Sequence, residues 1–176
     1  ACYKNEPSFK YLLEKVYCVH FKFKDFIYET NYYGQNFFQY LDEHSSTLIA
    51  KFALKILKEQ LSSVELKDFL TIKGFRGKNL LHLAAVNTKN EDLLKFLANF
   101  IESELGIEEL RKMMCEDDDE GLHPFHAAFR YNKTHLDILD EAILLYEGKF
   151  SFDELPKVLC LKKLIHIHFS LKFPND

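Results

Sequence analysis

Apolar residues recur every three or four positions through most of the chain. Over Asn90 to Glu104, Leu93, Leu94, Leu97, Phe100 and Ile101 fall on one face of a helix. Ser46 to Leu61 and Lys133 to Tyr146 read the same way, the latter with Leu136, Ile138, Leu139, Ile143 and Leu144 as its apolar stripe. Shorter stripes follow each helix: Leu66 with Phe69 and Leu70, Leu110 with Met113 and Met114, Leu155 with Val158 and Leu159. Ser62 before Glu65 and Ser151 before Glu154 have the spacing of a capping box, which starts a helix by satisfying backbone donors reciprocally. Toward the start, Phe9, Leu12, Leu13, Val16, His20, Phe23 and Ile27 predict one or two further helices.

These stripes are spaced regularly. Gly34, Gly77 and Gly121 stand 43 and 44 residues apart, and each opens a similar octet. The octets run Gly34-Gln35-Asn36-Phe37-Phe38-Gln39-Tyr40-Leu41, Gly77-Lys78-Asn79-Leu80-Leu81-His82-Leu83-Ala84 and Gly121-Leu122-His123-Pro124-Phe125-His126-Ala127-Ala128. Each unit therefore holds two main helices and a short accessory helix. The second and third octets resemble the Gly-x-Thr-Pro-Leu-His-x-Ala opening of an ankyrin repeat. Asn36 and Asn79 stand where that pattern has threonine, Phe37 and Leu80 where it has proline, and Gln39 where it has histidine. The period is also longer than the family's usual ~33 residues.

The fold expected is all-α: an ankyrin-type helical repeat solenoid with accessory helices between repeats. Residues 1–30 form an N-terminal helical cap, 31–73, 74–117 and 118–160 the three repeats, and 161–176 a truncated repeat or C-terminal cap. The resemblance implies a module that binds a protein partner through hairpin fingers and a concave helix face. It implies that His82 and His126 tie neighbouring units together by hydrogen bonds. It leaves open a regulatory scaffold or an effector as the setting. The fingers carry Lys73, Phe75, Arg76 and Lys78 before the second unit, and Asp117, Asp118, Asp119 and Glu120 before the third. Opposite charge on neighbouring fingers would orient a dipolar partner, so these eight residues are the expected contact surface.

Composition narrows the function. Only 6 glycines and 4 prolines are present, too few for the many turns of an all-β fold. The 23 basic and 27 acidic residues are too balanced for a general nucleic-acid binder. No apolar run reaches the ~20 residues that span a bilayer, and no signal-peptide pattern opens the chain. Cys2, Cys18, Cys115 and Cys160 form no disulfide or metal spacing, so an intracellular, cytoplasmic protein is expected.

Candidate chemistry is sparse. His166 and His168 with Cys160 lack a fourth ligand for structural zinc. The acidic run at 116–120 lacks the closing glutamate of a calcium loop, since Ala128 falls at that position. No nucleophile elbow or phosphate loop occurs. The chain is read as non-enzymatic, with no cofactor or metal. The alternative is structural self-association, a homo-oligomer formed through the apolar C-terminal unit.

Overall fold

The computed structural model describes residues 11, 27–37, 39, 47–86, 92–131 and 136–160, with the backbone alone at 136–139 and 141. The expected caps at 1–30 and 161–176 thus lie mostly or wholly outside the described residues, as do His166 and His168. The chain is mostly helical. Its helices are α1 (Thr47–Gln60), α2 (Ser63–Leu70), α3 (Leu80–Val86), α4 (Leu93–Leu105), α5 (Ile107–Cys115), α6 (Pro124–Tyr131), α7 (Leu136–Lys149) and α8 (Leu155–Leu159). Among the described residues the sole β pairing is an isolated bridge between Thr30 and Asn36.

Local chemistry sets the boundaries. Ser62 caps α2 with the full reciprocal box to Glu65. Ser151 donates its N–H to Glu154 at 2.8 Å, but α8 starts only at Leu155, where proline in the first turn forfeits no helical bond. Of the expected stripe of α4, Leu93, Leu94, Leu97 and Ile101 are buried, together with Ala98, and Phe100 is half-buried. That of α7 is shifted at its described members, the side chains of Leu136, Ile138 and Leu139 lying outside the described residues. Ala142, Leu145 and Tyr146 are buried, whereas Ile143 and Leu144 are exposed. Five consecutive apolar residues, 142–146, leave periodicity without a unique phase. Tyr146 fixes it, because its buried hydroxyl donates to the Met114 carbonyl at 2.6 Å and accepts from Phe125 N–H at 3.3 Å.

Packing runs from unit to unit. Helix α3 packs on α6 and α4 on α7, first helix on first and second on second, while α5 lies along α4 and touches α6. One continuous core joins α1 to α7. Ala84, Ala85, Ala127 and Ala128 are all buried, and their small side chains let α3 and α6 approach closely.

Candidate interaction surface

The three turns before the octets are built alike. Asn31 N–H donates to Gln35 O, Gly74 N–H to Lys78 O and Asp118 N–H to Leu122 O, each at 2.9 Å. The glycine N–H closes each loop onto Asn31, Gly74 or Asp118. Gly34, Gly77 and Gly121 have φ of 72°, 67° and 71°, the left-handed backbone that closes a three-residue hairpin loop. Asn31 and Asp118 brace their turns with the side chain: Oδ1 of each accepts two backbone N–H groups. The second turn has Gly74 there because a Cβ would lie 2.7 Å from the Gln39 amide.

Below the turns, buried polar groups join each unit to the next. Gln39 donates to Ile72 O at 3.1 Å, and Asn79 to Met113 O at 2.9 Å. The ring Nε2 of His82 donates to Leu122 O at 2.7 Å, that of His123 to Val158 O at 2.7 Å, and that of His126 to Leu159 O at 2.9 Å. His82 is wholly buried; burial lowers its pKa, opposed by the Leu122 hydrogen bond and the Asp118 charge. It is therefore a neutral structural tie, and the repeated position explains why a histidine recurs there.

The eight residues expected at the fingers divide in the structure. Lys73 faces Glu116 at 3.7 Å. Arg76 faces Glu120 at 3.2 Å, and its carbonyl accepts the Asp119 N–H. Glu120 also binds Arg130 at 2.7 Å and accepts from the Tyr131 hydroxyl at 3.3 Å. Burial first, then the Glu120 charge, raises the Tyr131 pKa, so the phenol stays a donor. The ammonium of Lys78 lies over the Tyr131 ring, 5.0 Å from its centroid. The basic and acidic fingers thus bind each other. Asp118 is buried inside its turn, whereas Asp117 and Asp119 are exposed. Phe75 is 44% exposed.

Sequence reasoning missed the first turn. Tyr32 and Tyr33 are 97% and 58% exposed, and Tyr33 meets both Tyr32 and Phe75 edge-on, with ring centroids 5.5 and 5.8 Å apart. The signal was available in register: the two residues before each turn glycine read Tyr32-Tyr33, Phe75-Arg76 and Asp119-Glu120. Arg76 is itself left-handed, at φ 58° and ψ 35°, a conformation costly for a residue with a Cβ.

No cluster of three or more histidine, cysteine or acidic side chains is arranged to hold a metal among the described residues. Cys115 is exposed, and its thiol pKa is raised chiefly by burial of the sulfur, which works against thiolate chemistry. No described helix is long and apolar enough to cross a membrane. The chain matches no known protein family, no curated protein and no solved structure.

Proposed function

We propose that the chain is a non-enzymatic protein-interaction module, an ankyrin-type solenoid of three enlarged units that holds a protein partner on its turn tips and the helix face beside them. The observation that carries this reading is the turn made three times in one register, its tips exposing Tyr32, Tyr33 and Phe75. Stacked units of this kind present an extended, rigid surface, and exposed aromatic groups on such a surface are favourable contacts. The octets at Gly77 and Gly121 support the family resemblance, and the buried ties of His82 and His126 fit the role it implies. The free thiols Cys115 and Cys160 fit an intracellular setting.

Affinity capture from the native source, read by mass spectrometry, tests the reading with three baits: wild type, Tyr33→Ala with Phe75→Ala, and a Lys95→Ala control at an exposed position on α4. A partner retained by wild type and the control but lost from the tip variant is the expected result. Partners that bind all three equally count against it. Exposed Leu144, Ile143 and Phe152 favour self-association as a second reading. A molar mass that stays monomeric across a concentration series eliminates that one.

A further inference from the structure

The geometry points to the class of partner: an extended, basic segment of another protein whose apolar or proline side chain sits on the Tyr33–Phe75 ridge and whose arginine or lysine reaches Asp119. This inference rests on the interaction-module reading and deepens it.

Three observations carry it. The ridge is braced by contacts within the chain. Tyr33 is held edge-on between Tyr32 and Phe75, and its backbone N–H is bonded to Asn31 at 2.9 Å. Phe75 lies under the Arg76 guanidinium, 5.1 Å from the ring centroid, and Arg76 is anchored by Glu120. Aromatic groups already fixed in place lose little entropy on binding. Second, charge on the tips is unevenly spent. Lys73, Arg76 and Arg130 face Glu116 and Glu120, and Lys78 lies on Tyr131, so these cations are occupied within the chain. The Asp119 carboxylate remains at the exposed tip, beside the backbone of Gly77. The surface therefore complements a cation. Third, the order is fixed: aromatic first tip, mixed second tip, acidic third tip. Asp119 stands on the tip next to Phe75, its N–H bonded to Arg76 O at 3.0 Å. Adjacent helices pack ~8–10 Å apart, so the ridge and the carboxylate stand roughly that far apart. An extended chain covers that in about three residues at ~3.3 Å each. The recognised pattern is thus an apolar or proline residue followed, or preceded, about three residues away by arginine or lysine.

Amide NMR titration of the full chain tests this with three synthetic heptapeptides: one with leucine and arginine three residues apart, one with glutamate for the arginine, and one with glycine for the leucine. The expected result is shifts confined to the turn tips and tightest binding by the first peptide. Tyr33→Ala or Phe75→Ala weakens it about tenfold, the loss typical of an aromatic hot spot. Asp119→Asn weakens the arginine peptide alone, and Asp119→Lys transfers the preference to the glutamate peptide. Because Asp119→Asn keeps shape, a folded variant reports on charge and not on packing. Peptide binding that ignores these changes, preference for the acidic peptide, or no shift at millimolar peptide overturns the inference. A captured partner lost on the tip variant under those same outcomes leaves the interaction-module reading standing, so the two fail separately.

Discussion

Replacing Gly77 with alanine separates two costs that the three turn glycines share unequally. Gly34, Gly77 and Gly121 all sit near φ +70°. A Cβ in that region costs about 1–2 kcal/mol wherever it occurs. At Gly34 and Gly121 the added methyl meets nothing within 4 Å, so that is the whole effect. At Gly77 it would lie 2.5 Å from Asp119 Oδ1, 3.1 Å from its Cγ and 3.2 Å from its backbone N. The carboxylate can swing away, but the backbone is pinned by the 3.0 Å bond from Asp119 N–H to Arg76 O. Overpacking of this kind adds about 1–3 kcal/mol. Gly77→Ala should therefore cost about 2–5 kcal/mol, against about 1–2 for either control. Urea unfolding followed by far-UV circular dichroism measures all three. Repeating the Gly77 change in an Asp119→Ala background should remove part of the excess, since it deletes the two nearest atoms. Equal losses at the three glycines, or an excess that survives intact without the Asp119 side chain, would refute the close approach between the second and third turns.

Other outcomes follow from the buried ties. His82 has its pKa lowered from an ordinary 6.5 by burial, so below about pH 6.5 the unfolded chain takes up a proton that the folded chain resists. Stability contributed by neutral His82 is thus present above that pH and declines as pH falls toward the depressed folded value. His82→Gln, which copies Gln39 of the first unit, should flatten this decline relative to wild type in urea midpoints measured against pH. Tyr146→Phe leaves the Met114 carbonyl and the Phe125 N–H buried without their partner, and calorimetry should register a loss of about 1–3 kcal/mol. Ser62→Ala opens the capping box of α2 and should cost about 0.5–2 kcal/mol in the same assay.

What the sequence disclosed was whatever is local or repeated. The turn glycines, the capping box at Ser62 and the stripe of α4 each depend on residues within a few positions of one another. Helix α1 was expected over Ser46 to Leu61 and runs Thr47–Gln60. The phase of α7 was hidden because Ala142, Ile143, Leu144, Leu145 and Tyr146 offer an apolar face in every direction. The deciding bonds come from Met114 and Phe125, 32 and 21 residues away. Asp118 read as surface charge because it stands in an acidic run, yet its Oδ1 takes two N–H groups of its own turn. Cys115 and Cys160 stand 45 residues apart, at the C-terminal ends of α5 and α8, without matching in environment: one is exposed, the other half-buried. Register predicts backbone position; it does not predict what a side chain meets there.

The same distinction governs the charges. Lys58–Glu104, Lys67–Glu109, Lys73–Glu116, Arg76–Glu120 and Arg111–Glu154 each join a cation to an acid about one period further on, 46 residues for the first and 44 for the fourth. Exposed pairs contribute roughly 0–1 kcal/mol apiece, too little to explain why units stack. The apolar core of α3, α4, α6 and α7 does that. What ion pairs repeated in one register can do is penalise slippage of one unit along the next, because a shift would bring like charges together. Each tip cation used for register is a cation already paired within the chain. That is why two fingers of opposite sign, expected from the sequence to orient a dipolar partner, expose aromatic and acidic groups once folded.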